Sequence, residues 1–251
     1  HFASEHREEE FTFRGEQVSG EVLAETIRGE LTERLTGAAA PYNQVFTTNG
    51  IASTTASIIA GSLGITDLDA IGEEEVARIR QAHLLLASYN ALQPGVFALS
   101  GWDLTGALPL PADHPDVAPL LDGGDTRWIH RGAYDLLGVD PSAQRSMSGM
   151  PRARSLYGTL PEQLEDETSF VYRLKQILHL RGYFQIATTS QVDVPDVAHP
   201  AMLVMVHDYE SIEGQMQVTV LNFAAEPISG TVISEHLVPG ARLMDMGDGS
   251  T

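Results

Sequence analysis

The chain has 251 residues, no cysteine, and 34 acidic against 15 basic side chains, for a formal net charge of −19. A field of that sign repels nucleic acid and anionic membranes, and the lack of thiols excludes disulfides, thiolate metal sites and cysteine nucleophiles. No apolar run approaches the roughly 20 residues of a membrane span, and the length suffices for one large or two modest domains with a real core.

Residues 4–14 are charged and end in Phe11-Thr-Phe13, which reads as an exposed connection tied down by aromatics. Ser19 is a plausible N-cap with Glu21 in the first turn, and Val22, Leu23, Ile27, Leu31 and Leu35 recur at helical spacing until Gly37. Tyr42 to Thr48 holds a short apolar run, and Asn49-Gly50 is a turn signal. Ile51 to Leu63 is small and uncharged throughout, so it predicts a helix buried on most sides.

Glu73-Glu-Glu75 places acids at a helix N-terminus, where the dipole favours them, and the apolar spacing carries that helix to Leu92. Pro94-Gly95 stops it. Val96 to Leu99 then has the continuous apolar character of a strand buried on both faces, followed at once by Gly101-Trp102-Asp103. From Gly106 to Pro161 prolines and glycines mark a long irregular excursion, and loops of that length are usually functional or inserted. Asp166 or Thr168 caps a further helix through Arg181. After Gly182, alternating segments at 183–190, 201–207, 216–223, 228–234 and 242–244 read as an antiparallel sheet or small sandwich.

Lys175 is the single lysine, and the remaining basic residues are arginines. Excess acid with arginine in place of lysine looks like the composition of proteins from salt-accumulating organisms; arginine-biased codon usage on an ordinary acidic surface is the bland alternative. A cytoplasmic location is expected from the cysteine-free composition and the absence of a visible signal peptide. The chain opens at His1-Phe2 in mid-stride and ends in a Gly-Asp-Gly-Ser-Thr tail, which reads as a piece of a longer protein.

The order strand, Gly-aromatic-acid, irregular loop, helix and β segment resembles the C-terminal part of the α-amylase superfamily, glycoside hydrolase family 13. Leu92-Gln-Pro-Gly-Val-Phe-Ala-Leu-Ser-Gly-Trp-Asp103 looks like that family's entry into barrel strand eight, and Ser169 to Arg181 like its last barrel helix. Met202 to His207 and Val218 to Phe223 resemble strands of the domain that follows. Gly101 to Leu110 and Trp128 to Asp135 look closest to trehalose synthase-like members. The resemblance implies an α/β plus β fold: the terminal portion of a (β/α)8 TIM barrel over residues 1–185, with an irregular excursion at about 104–165, and an antiparallel β-sandwich domain over 186–251. Trp102 stands where the family carries an acid, which weakens the transfer of a substrate role to Asp103.

By the same resemblance the parent enzyme is a retaining, α-glucan-active one that interconverts maltose and trehalose or cleaves α-glucosyl bonds. Retaining chemistry needs a carboxylate pair about 5–5.5 Å apart, and the family's motifs for that pair have no counterpart here. The segment alone is therefore expected to be inactive, with a non-catalytic carbohydrate-binding or interaction module as the alternative. Candidate sugar-contacting residues are Trp102, Asp103, His130, Arg131 and Tyr134. Against that stands a rim ring packed on the barrel with Asp103 capping the next turn, and an internally bonded loop around His130. Arg152, Arg154 and Glu162 read as a structural ion-pair network, and the methionines of the β segment as core filler. No histidine spacing supports a metal site and no phosphate or dinucleotide fingerprint appears, so neither metal nor cofactor is expected. Expected partners are α-glucan, maltose or trehalose, and further copies of the chain through exposed barrel edges, but neither nucleic acid nor membrane.

Overall fold

The computed structural model describes residues 5–47, 50–210, 214–247 and 250. Asn49 of the expected turn, His1-Phe2 and part of the C-terminal tail lie outside them. The chain divides into two compact units: His1–Arg80 with Gly101–Glu162, and Gln81–Ser100 with Gln163–Thr251.

The first unit opens on an antiparallel hairpin, β1 (Glu10–Phe13) and β2 (Glu16–Ser19), in place of the expected connection. Arg14 and Gly15 both have positive φ, the backbone a two-residue hairpin turn requires. Helix α1 (Gly20–Leu35) starts where expected, with the Ser19 hydroxyl accepting from the Val22 N–H at 3.4 Å. Strands β3 (Gln44–Phe46) and β4 (Gly50–Ala52) form a second hairpin. Helix α2 (Thr55–Ser62) follows, its N-terminus closed by a reciprocal Thr54–Ser57 capping box. Its small side chains are largely buried, as their composition predicts. Asn43 donates to the Leu35 carbonyl at 2.9 Å and accepts from the Ser57 hydroxyl at 2.7 Å, so one buried amide ties the end of α1 to the start of α2.

The long excursion wraps a core cluster of Ala52, Ala107, Leu110, Val117, Ile129 and Ala153, with Phe46 and Trp102 packed against it. Its only regular pieces among the described residues are short: α4 (Ala118–Leu121) and 3₁₀ turns at 103–105 and 126–130. Two arginines brace it. Arg152 donates to the carbonyls of Asp140, Pro141 and Ala143, and Arg154 to those of Leu68 and Ile71. The expected Arg152–Arg154–Glu162 ion network does not form, because Glu162 instead accepts from the Thr159 backbone and hydroxyl.

Helix α3 (Glu73–Ala91) contributes its second half to the other unit, together with part of α5 (Leu160–Glu165) and all of α6 (Phe170–Tyr183). Ser169 caps α6 rather than Asp166 or Thr168, accepting from the Tyr172 N–H at 3.1 Å. The fully buried Phe170 packs against the His83 ring at 4.5 Å between centroids. Near the end of α6 the buried Arg181 donates to the carbonyls of Ala91, Gln93 and Gly95, holding the turn that leaves α3. An antiparallel sheet completes the unit in the order β5 (Ser190–Asp193), β6 (Met202–Asp208), β7 (Met216–Asn222).

This architecture corrects the expectation of a TIM-barrel portion followed by a β-sandwich. Every named sheet is antiparallel and has two or three strands, and the expected strand at 96–99 forms no ladder. Val96 is 90% exposed. An apolar tetrapeptide reports hydrophobicity, but a parallel strand also needs neighbouring strands to take its N–H and C=O groups. Among the described residues no strand pairs with it, and the Ala98 carbonyl accepts from the Asn90 side-chain amide at 3.2 Å instead. The segments at 228–234 and 242–244 likewise form no strands, so a single three-stranded sheet stands where two layers were expected. Among the described residues no helix is long and apolar enough to cross a membrane.

His207 on β6 lies between Gln217 of β7 and Gln191 of β5 in the sheet register. It is 0% exposed, and neither ring nitrogen has a hydrogen-bond partner among the described residues. Burial lowers its pKa below the ordinary value. A histidine held neutral in the fold takes up its proton more readily when unfolded, so its burial costs stability as pH falls through about 6.5. The expected result is a urea midpoint that drops between pH 7.5 and pH 5.5 in the wild type and drops less in His207→Leu. An undiminished drop in the variant would exonerate this side chain.

Candidate functional site

Leu108 to Leu110 run through the core cluster, and their anchorage fixes the turn just before them. That turn is Gly101-Trp102-Asp103. Trp102 packs on the cluster and stacks with His130, ring centroids 5.5 Å apart and planes 28° from parallel. Gly101 is required by a close approach: a Cβ at this position would lie 2.4 Å from the Tyr134 hydroxyl oxygen. Trp102, His130 and Tyr134, three of the residues singled out from the sequence, therefore meet at this turn.

His130 closes the 3₁₀ turn 126–130, which starts at Asp125, whose side chain accepts from the Arg127 N–H at 3.1 Å. Its Nδ1 lies 3.1 Å from the carbonyl of Ser53, just after β4. A carbonyl can only accept, so Nδ1 carries the hydrogen and the neutral ring keeps its lone pair on Nε2. Burial lowers the His130 pKa; the Ser53 carbonyl opposes this, while the positive charges of Arg131 and Arg127 add to the lowering. At neutral pH the imidazole is thus a hydrogen-bond acceptor stacked on an indole. That pairing suits a polyhydroxylated ring, which needs an apolar face to stack on and an acceptor for a hydroxyl.

The other two sequence candidates point elsewhere. Asp103 is only 5% exposed and starts the 3₁₀ turn 103–105; its charge, together with burial, raises the pKa of the Tyr157 hydroxyl. It serves the packing beneath the turn. Arg131 lies over the Trp128 ring, 4.5 Å from guanidinium carbon to centroid, and faces solvent. Arg127 fixes the same loop from the other side, pairing with Asp125 at 2.7 Å and covering the Phe46 ring at 4.4 Å. Sequence reasoning missed Ser53, which sets the tautomer. Its role passes through a backbone carbonyl, and no side-chain pattern reports that. Among the described residues no group of three or more histidines and carboxylates is arranged to hold a metal ion. No protein-family model matches the chain, and no curated protein matches its sequence.

The Gly101–Tyr134 approach is directly testable. Gly101→Ala should cost about 1–3 kcal/mol in urea unfolding, the usual range for overpacking. Removing the obstacle in Gly101→Ala/Tyr134→Ala should recover part of that loss relative to the sum of the single substitutions. Strict additivity would mean that the hydroxyl does not constrain the turn.

Proposed function

We propose that this chain contributes a sugar-contacting wall to a retaining α-glucan-active enzyme, most similar to trehalose synthases, whose catalytic carboxylates lie outside the chain. The observation that carries the reading is the Trp102–His130 stack at the Gly101 turn, with its imidazole held as the Nδ1–H tautomer. The part of the indole left exposed beside the imidazole supplies apolar surface to the C–H side of a glucosyl ring, and Nε2 accepts from one of its hydroxyls. The Tyr134 hydroxyl lies against Gly101, next to the indole in the chain. The sequence resemblance along residues 40–223 supports the same substrate class.

Arg131 adds donors at the edge, since a guanidinium binds hydroxyl oxygens as well as anions. The substrate class is α-linked glucose, as maltose, trehalose or longer glucan. In the parent enzyme, binding at this wall would orient one glucosyl unit while carboxylates elsewhere perform the transfer, the usual division between positioning and chemistry. A non-catalytic glucan-binding role for the chain would use the same stack, and differs only in whether the parent enzyme turns substrate over.

Maltose titration of the 251-residue chain, followed by tryptophan fluorescence, should give a saturable response in the millimolar range. Trp102→Ala should abolish it. Trp128→Phe should leave it in place and remove only background emission. Because protonated Nε2 cannot accept, binding should hold at neutral pH and weaken as pH falls below the ordinary histidine value of about 6.5. No response to maltose or maltoheptaose sinks the binding reading, and glucose release or maltose isomerisation by the chain alone sinks the placement of the carboxylates outside it.

A further inference from the structure

A cavity of about 410 Å³ in the first unit is lined by Arg131, Arg145 and Arg152 together with Asp135, Asp140 and Val139. Formal charge alone decides nothing here, since Arg145 also pairs with Asp116 at 2.6 Å just outside the lining. Counting hydrogen bonds does. The Asp135 carboxylate accepts from the N–H groups of Gly138, Val139 and Asp140 at 2.8–3.0 Å. Asp140 accepts from the Ser142 N–H and hydroxyl and the Ala143 N–H at 2.7–3.1 Å. Backbone and hydroxyl donors therefore engage both oxygens of Asp135 and Oδ1 of Asp140, and these bonds lower the pKa of each.

The guanidiniums are less occupied. Arg152 directs Nη1 to the carbonyls of Asp140, Pro141 and Ala143, which leaves Nε and Nη2 without a hydrogen bond among the described residues. Arg145 makes single contacts, from Nη1 to Gly149 O at 3.1 Å and from Nη2 to Asp116. The Arg131 guanidinium has its ring contact with Trp128 and no hydrogen bond among the described residues. The cavity thus presents spare fork-shaped donors, while the two carboxylates on its lining are turned mainly to their own backbone. That is the chemistry that takes a tetrahedral dianion, which forked N–H pairs bind bidentately.

We propose that this cavity binds a phosphate group, free or carried by a small hydroxylated molecule as a phosphate monoester. Arg131 is the principal ligand, with Arg152 and Arg145 completing the cradle. The volume falls within the range of small-molecule sites and exceeds what an inorganic ion alone would fill, which favours the monoester. Arg131 lies next to His130, but the proposal does not depend on glucan binding there, because the dianion alone tests it.

The test uses the 251-residue chain at constant ionic strength, with inorganic phosphate titrated against chloride in calorimetry and in thermal unfolding. Saturable phosphate binding is expected, with glucose 6-phosphate binding more tightly than phosphate and glucose giving no signal at this cavity. Arg131→Ala should weaken phosphate at least tenfold, whereas Arg28→Ala, on the exposed face of α1, should not change it. Val139→Asp tests the cavity independently: this side chain is 82% exposed and lines the cavity, so the substitution adds a third carboxylate there while the Val139 N–H can still donate to Asp135. It should abolish phosphate binding with unfolding otherwise unchanged. Phosphate equal to chloride, or binding indifferent to both Arg131→Ala and Val139→Asp, would overturn the proposal. Phosphate and glucose 6-phosphate binding equally would assign the site to the free ion. Loss of the maltose response with phosphate binding intact would separate this site from the proposed sugar wall.

Discussion

Arginine donating to backbone carbonyls is the interaction on which the folding of this loop-rich chain rests. Arg152 gathers the carbonyls of Asp140, Pro141 and Ala143, Arg154 those of Leu68 and Ile71, and Arg181 those of Ala91, Gln93 and Gly95. Sheets satisfy carbonyls by ladder bonds, but here the ladders are few and short. A buried turn carbonyl left dry costs about 1–3 kcal/mol, a penalty the buried Arg181 offsets, whereas Arg152 and Arg154 act nearer the surface by tying separate segments together. Lysine would not substitute well: its ammonium is a strongly hydrated point charge, whereas the guanidinium is planar and more easily desolvated. The preference for arginine over lysine among the 15 basic residues therefore has a structural use beside any adaptation to salt.

The same bracing sets the site. Arg154 holds residues 68–71 to the strip 152–154, and Ala153 returns from that strip into the core cluster beneath Trp102. The β3–β4 hairpin brings Ser53 to His130, and the Thr126 hydroxyl bonds the Val45 carbonyl at 2.9 Å, locking the histidine loop to the hairpin. Stack geometry and tautomer thus come from backbone groups on separate segments, which a flexible loop alone could not hold. A preformed site of this kind avoids the ordering cost of assembling its walls around a ligand.

Helices and the longest strands were legible because their signals are local. The Ser19 cap, the acids at Glu73–Glu75 and the alternation read at 201–207 and 216–223 meet elements of the structure. The helix read over 51–63, in contrast, starts only at Thr55, and the strand read at 183–190 is the end of α6 and a 3₁₀ turn, with β5 beginning at Ser190. What failed was pairing. Val96–Leu99 and the run at 228–234 have strand-like composition without a ladder, while the β1–β2 hairpin forms through an Arg14-Gly15 turn that carries no familiar turn signature. Local pattern fixes which face is apolar, whereas register and neighbour are non-local. The site divides in the same way. Trp102, His130 and Tyr134 were marked by type and do converge, Asp103 turned inward, and the Ser53 carbonyl and Gly101 clearance could be seen only in three dimensions.

His130 shows how local and global electrostatics compete. A net charge of −19 favours protonation of any histidine, and on that count alone the imidazole would be charged more readily than usual. Its pKa moves the other way, because burial removes water and Arg131 and Arg127 stand close by. Screening explains the outcome: at physiological ionic strength charges beyond about 8 Å are largely damped, so most of the surface carboxylates act weakly while two adjacent guanidiniums do not. Asp125 is near enough to oppose them, but its carboxylate is already engaged by Arg127. A neutral acceptor is thereby maintained inside a strongly acidic protein, and the arginines that maintain it are the ones stacked on Phe46 and Trp128, where the aromatic faces hold them in place.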